Sequence, residues 1–257
     1  MNNKKYQVSL IVPALNEVEN LERSVLDILS ALKKHQIMGE IVLIDDGSTD
    51  GTAELANKLG ADHSNVLVLH NKENQGIGFS FWEGSKLASG DVIVMMPGDG
   101  ENDPIEILRY LPLMTEVDVV IPFVYNIENR SFYRRMLSKV YKAIINLSFG
   151  MLLNYMNGTV MYRRSVLLSL SLQSSGFFYQ TELLIKAIRN GFLYAEVPYA
   201  IKFRTKGDSK AMRFYALFRL IRDYIHALLS VYVEGDVEDL SYPVDSATYR
   251  QKSKSLP

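Results

Sequence analysis

Val8-Ser9-Leu10-Ile11-Val12-Pro13-Ala14-Leu15-Asn16-Glu17 joins an apolar run to a proline and then to a short polar loop. Such a run reads as a strand buried on both faces. Outward from it the pattern repeats. From Glu17, apolar residues recur at Leu21, Val25, Ile28, Leu29 and Leu32, the helical period. Glu40 to Ile44 reads as a second strand and Thr52 to Leu59 as a helix. Val66 to Leu69 follows as a strand, Ile77 to Ala88 as a helix and Val92 to Met96 as a fourth strand. Strands spaced by helices predict an α/β fold with a mostly parallel central sheet and helices on both faces. Ligands of such sheets bind beyond the carboxyl ends of the strands. The loops after Val12, Ile44 and Met96 are therefore expected to form one site.

The second half is less regular. Val117 to Val124 reads as a strand, Phe132 to Leu153 as a long helix, Asn157 to Tyr162 as a strand and Gln180 to Asn190 as a helix. An extended stretch over Leu193 to Phe203 leads to an amphipathic helix over Met212 to Val233, with apolar residues at Phe214, Leu217, Phe218, Ile221, Ile225, Leu228 and Tyr232. The pattern divides the chain into a catalytic domain over residues 1–211 and a C-terminal helix with a polar tail over 212–257. The tail after Gly235 is expected to be loosely ordered.

The bulk numbers remove several classes of function. At 257 residues with 47% hydrophobic and 22% charged residues, the chain can hold one full α/β domain. A net charge of -1 argues against general nucleic-acid binding. The absence of cysteine excludes disulfides, thiolate zinc sites and cysteine nucleophiles. His35, His63, His70 and His226 are scattered without paired-ligand spacing. Polar residues Met1 to Tyr6 run straight into a strand, so no signal peptide is expected. No apolar run reaches the ~18 charge-free residues of a membrane span. A cytoplasmic protein, peripheral at most on the inner face of a membrane, is the expectation.

Three acidic loops follow three strands: Pro13 to Glu17, Asp45 to Thr52, and Pro97-Gly98-Asp99-Gly100-Glu101-Asn102-Asp103-Pro104. In an extended loop, Asp99 and Glu101 can turn their oxygens toward one hard cation, Mg2+ or Mn2+. Gly98 and Gly100 would let a diphosphate approach the backbone. Such clusters also serve as ordinary turns, and it is the coincidence of three at one sheet edge that favours a metal-diphosphate site. Asp103 before Pro104 reads as a helix start.

These strings, at their separations, resemble family 2 glycosyltransferases, and within them the dolichol- and polyprenyl-phosphate mannose and glucose synthases. The likeness continues through Arg134-Arg135-Met136-Leu137-Ser138-Lys139, Phe178-Tyr179-Gln180-Thr181-Glu182-Leu183, Glu196-Val197-Pro198 and Arg204 to Lys210, covering roughly residues 7 to 212. It implies an A-type glycosyltransferase fold and inverting transfer from a UDP- or GDP-linked sugar. By position it places Pro13, Leu15, Glu17, Ile44 and Asp46 around the nucleotide, with Asp46 bonding the base. Asp99 and Glu101, beside Gly98, would hold the metal on the donor diphosphate. Arg204 and Lys210 would close over the phosphates, while Arg135 and Ser138 would meet an acceptor phosphate.

Three positions depart from the family pattern. Pro97 stands where an Asp is usual, Val124 replaces an acceptor-side Arg, and Asn154 replaces an Asp. They leave two alternatives beside a polyprenyl-phosphate acceptor: transfer to a saccharide hydroxyl in surface-polysaccharide assembly, or a weakly catalytic nucleotide-sugar-binding module. A phosphate acceptor is already anionic and needs no base, whereas a hydroxyl needs one. Glu182 is the candidate base; it equally suits the first turn of a helix, where acids favour the dipole. A dinucleotide dehydrogenase is excluded because Gly76-Ile77-Gly78 lacks a third glycine and follows the third strand. Basic residues in 128–142 and 202–222 beside apolar helices suit either an interfacial helix on anionic lipid or ordinary packing on the domain.

Overall fold

The computed structural model describes residues 6–126, 132–200, 214–234 and 241–254. β1 (Val8–Ala14), β2 (Gly39–Asp45), β3 (Val66–His70) and β4 (Val92–Met95) alternate with α1 (Leu21–Lys34), α2 (Thr52–Asp62) and α3 (Ile77–Leu87). Then come α4 (Pro104–Leu108), β5 (Val119–Val124), α5 (Phe132–Phe149), β6 (Met161–Arg163), α6 (Arg164–Ser169), α7 (Tyr179–Arg189), β7 (Tyr194–Tyr199), α8 (Phe214–Leu229) and α9 (Ala247–Lys254). One seven-stranded sheet runs in the order β3-β2-β1-β4-β6-β5-β7. All its pairings are parallel except those of β6 with β4 and β5.

This is the mostly parallel α/β sheet expected, with helices on both faces. The reason is visible in β1, where all seven residues are buried. Leu10 and Val12 face one core with Leu21, Val25 and Ile28 of α1 and Leu59 of α2. Ile11 faces the other with Phe81 of α3, Ile145 and Phe149 of α5 and Leu183 of α7. Full burial of such side chains stabilises by roughly 1.5–3 kcal/mol each, so an alternating half-polar strand could not take this central place. Register then fixes the site: Ala14 lies beside Asp45, and Ile11 beside Met95. The three acidic loops leave the sheet at one edge.

Several boundaries differ from expectation, each for a local reason. α1 starts at Leu21 instead of Glu17 because residues 16–18 are held against the next loop by hydrogen bonds. α5 stops at Phe149, before Gly150 in the left-handed region (φ 64°). β6 is only three residues long. Only part of the apolar pattern of α8 faces the core. Leu220, Tyr224, Ala227 and Leu228 pack on the core, while Phe218, Ile221 and Ile225 are exposed.

The loosely ordered tail is corrected for residues 241–254. α9 docks by its N-terminal amides on Asp118, which is fully buried. Ala247 N and Thr248 N donate to the two Asp118 oxygens at 2.7 and 2.9 Å, and Thr248 Oγ1 adds a further bond. Arg163 Nε completes the shell at 3.0 Å. A carboxylate at a helix N-terminus is stabilised by unpaired amides and dipole alike. Among the described residues no helix is long and apolar enough to cross a membrane.

Candidate active site

The first two acidic loops form one unit. Asn16 takes a positive φ of 52°, a conformation Asn tolerates better than most residues. This turns its amide N–H to Ser48 Oγ (2.9 Å) and its Oδ1 to Thr49 N (2.8 Å). Glu17 N donates to Thr52 Oγ1 at 2.9 Å, and Val18 N to Asp50 Oδ2 at 3.3 Å. Partial burial would raise the Asp50 carboxyl, but donors on Thr52 and Val18 outweigh it and hold the group below its ordinary range. This clasp is present above the usual carboxylate range and is lost as pH falls through the lowered value.

Asp46 is the most tightly held of the expected residues. It is 3% exposed. Its Oδ1 accepts from Asn71 Nδ2 (2.7 Å) and Gln75 N (3.0 Å), and its Oδ2 from Gly76 N (2.9 Å). The carboxylate thus fastens residues 71–76 over the end of β2. Asp45 beside it accepts from Ser48 N and from His70 Nδ1, both at 3.1 Å. Leu15 and Glu17 are half-exposed at the same edge. Pro13 is buried and gives its carbonyl to Gly98 N at 3.2 Å. Ile44 is fully buried with its side chain against Gly84, so that side chain backs the site from the core.

The third loop packs on the first. Gly98 packs closely: a Cβ there would lie 3.2 Å from Leu21 Cδ1 and 3.4 Å from the Ala14 Cβ. Asp99 Oδ1 accepts from Glu101 N at 3.1 Å, and both side chains are half-exposed. Asp103 caps α4 through Ile105 N at 3.0 Å, as its place before Pro104 predicted. Among the described residues no group of three or more His, Asp or Glu side chains is arranged to hold a metal ion by itself. Mg2+ binds with one or two carboxylates plus substrate phosphates and water. Two half-exposed acids beside a glycine loop fit a cation of this kind, held jointly with a diphosphate.

Arg135 and Ser138, expected at an acceptor phosphate, are half-exposed on α5, while Arg204 and Lys210, expected over the donor phosphates, lie outside the described residues. One turn beyond, Tyr141 OH meets Thr181 Oγ1 at 2.7 Å, and Thr181 bonds Asn157 Oδ1 at 3.2 Å. Burial pushes the Tyr141 phenol up to about 12, against the lowering effect of Thr181 and Asn157. The sequence reading missed this network, and the missed Asn71-Gln75-Gly76 cradle of Asp46 is another. The only signal available was a polar residue inside an otherwise apolar helix face.

Glu182 is placed differently from a free base. It is 4% exposed and accepts from Gln173 N and Ser174 N, both at 2.9 Å. Lys186 Nζ pairs with it at 3.0 Å. It lines a cavity of about 260 Å3 between α7 and α8 with Arg222, Asp223 and His226, and no donor-loop residue lines that cavity. Asn154 explains itself: its backbone N and Nδ2 both donate to Glu196, at 2.6 and 2.9 Å. Asn154→Asp would set two carboxylates face to face. It should lower the melting temperature at about pH 8 and much less at about pH 4.5, where one acid is protonated. An equal loss at both pH values would refute the clasp.

Residues 9–170 match Glycosyl transferase family 2. A dolichol-phosphate mannosyltransferase of Pyrococcus furiosus is 30% identical over 240 residues, spanning 90% of this chain and 66% of that protein. A polyprenol monophosphomannose synthase of Mycolicibacterium smegmatis is 33% identical over 214 residues, spanning 78% and 79%. The chain thus spans just under two thirds of the first relative's length and about four fifths of the second's. Glucosyl-3-phosphoglycerate synthase from Mycobacterium tuberculosis, solved with Mg2+ and uridine-diphosphate, shares the fold. Its TM-score is 0.63 at 22% identity, with 88% of this chain and 79% of that one covered. The same enzyme with Mn2+, UDP-glucose and phosphoglyceric acid gives 0.64 at 23%, with the same shares covered. Matched over more than half its length, and carrying the three acidic loops at one edge of an A-type glycosyltransferase sheet, the chain is a member of glycosyltransferase family 2.

Proposed function

We propose that the protein transfers a sugar, with inversion, from a nucleotide sugar to a polyprenyl-phosphate-type lipid. The observation that carries the donor half is the convergence of Asp46, Asp99 and Glu101 on loops locked to one another. Pro13, Leu15, Glu17 and Asp46 surround the nucleotide in this reading, with Gly98, Asp99 and Glu101 at its diphosphate. Bound there, Mg2+ or Mn2+ supplies charge neutralisation to the departing diphosphate. Arg204 and Lys210 add phosphate ligands from the segment before α8. UDP and GDP donors both fit this description.

The acceptor half rests on the identity to two polyprenol-phosphate mannose enzymes and on what Glu182 does. A phosphate oxygen attacks the anomeric carbon, the bond to the diphosphate breaks, and no proton needs removing. A hydroxyl acceptor would need a base within hydrogen-bond reach, and Glu182 is committed to Gln173, Ser174 and Lys186. Arg135 and Ser138 orient the acceptor phosphate. Arg135→Ala should therefore reduce transfer on the order of 10²-fold, while Glu182→Gln mainly lowers the melting temperature. The reverse order in transfer assays would favour a saccharide hydroxyl.

A lipid acceptor calls for a surface that meets lipid, and α5 with α8 supplies one. Val140, Ile144 and Leu147 on α5 are exposed, as are Phe218, Ile221, Ile225 and Leu229 on α8. The helices are joined by Ser148 Oγ and Tyr224 OH at 2.8 Å. Lys139 and Lys142 stand on α5 among the residues of its apolar stripe. Apolar stripes with basic borders suit the interface of an anionic leaflet. The protein should float with phosphatidylserine vesicles, and Phe218→Asp with Leu147→Asp should release it. Retention by the doubly substituted protein would remove this face from the account.

A further inference from the structure

The loop that fastens Asp46 is itself held from above. Gly76, which donates to Asp46 Oδ2, has a positive φ of 102°. A Cβ placed on it would lie 2.5 Å from the Ser175 carbonyl oxygen and 3.5 Å from Arg219 Nη1. A Cβ on Gly176 would lie 3.0 Å from Arg219 Cδ and 3.7 Å from Cγ. The stem of Arg219 therefore crosses Gly176, and its guanidinium ends beside the backbone of Gly76. Ser175 O also accepts from Gly78 N at 2.8 Å, so residues 174–176 are wedged between Arg219 and the start of α3. Both glycines are needed for so close an approach. Here Gly76-Ile77-Gly78 serves packing, with the Gly76 and Gly78 amides already given to protein acceptors.

We propose that Arg219 is a positioning residue for the donor. Standing on α8, it presses residues 174–176 onto the Gln75–Gly76 amides and so fixes the Asp46 carboxylate. α8 is also the helix whose outer face carries Phe218, Ile221 and Ile225, and it continues the chain from the segment with Arg204 and Lys210. Seating of α8 and affinity for the nucleotide are then linked through one side chain. Such coupling has physical content because Asp46, Gly76, Ser175, Gly176 and Arg219 form an unbroken contact chain. The functional part rests on the placement of the donor at Asp46.

The test uses the full chain with Arg219→Met, which keeps a long apolar stem and removes the guanidinium, and with Arg219→Lys, which restores a charge. Amide exchange at Gln75 and Gly76 in Arg219→Met should quicken by on the order of tenfold, with the β1–β2 ladder unchanged. Affinity for UDP or GDP in the presence of Mn2+ should fall roughly 5- to 20-fold, with Arg219→Lys intermediate. Unchanged exchange at both amides would overturn the inference, and so would acceleration across the whole domain, which marks a merely structural role. Faster local exchange with unchanged nucleotide affinity would overturn the link to donor binding, whereas an unsubstituted protein that binds neither UDP nor GDP with Mn2+ would instead overturn the donor placement on which it rests.

Discussion

Asp99→Ala is expected to abolish the Mn2+-dependent rise in melting temperature given by UDP or GDP, and to lower sugar transfer on the order of 10²–10³-fold. Asp99 is half-exposed, and its Oδ1 accepts from the Glu101 amide within the same loop. Its loss should leave the fold intact, because Gly98 packing and the Asp103 cap hold the loop independently. A ligand bound only by the native state raises stability with its concentration, so the melting curve reads the site directly. The pairing with Glu101 makes the metal arm specific: without Mn2+, parent and variant should melt together. A variant that still gains stability from Mn2+ with nucleotide would remove Asp99 from the metal site.

Asp118→Ala should cost about 3–5 kcal/mol of stability, the usual range when one partner of a buried ion pair is removed. Asp118 is fully buried, and the Arg163 side chain is 11% exposed. The substitution strands the guanidinium and leaves three α9 donors without their acceptor. Deleting residues 241–257 should have a related effect by taking those donors away. Denaturant unfolding of both variants checks this. A loss under about 1 kcal/mol would mean that α9 is an ornament on the domain.

The contrast between these two sites shows what the sequence could reveal. β1, β2, β4 and α1 were legible because continuous apolar runs and a 3.6-residue period report burial directly. The acidic loops were legible because strand ends in a parallel sheet share one edge. Asp118 was not, because a lone acid before a strand carries no local sign that a helix over a hundred residues away will cap it. Glu182 was left between two readings for the same reason. Its position in α7 suits a base or a first-turn acid, and only the fold brings the Gln173 and Ser174 amides to it. α8 was half legible: its amphipathicity was clear, but the residues facing the core are Leu220, Tyr224, Ala227 and Leu228. The period alone could not say which part of the apolar stripe meets the core and which is exposed.

Incubation of the protein with Mn2+, a radiolabelled UDP- or GDP-sugar panel and purified polyprenyl phosphate tests the central claim most directly. The account predicts label in the organic phase after solvent extraction, dependent on polyprenyl phosphate and lost in Asp99→Ala. Label that remains in the aqueous phase as a saccharide, whatever lipid is supplied, would contradict it.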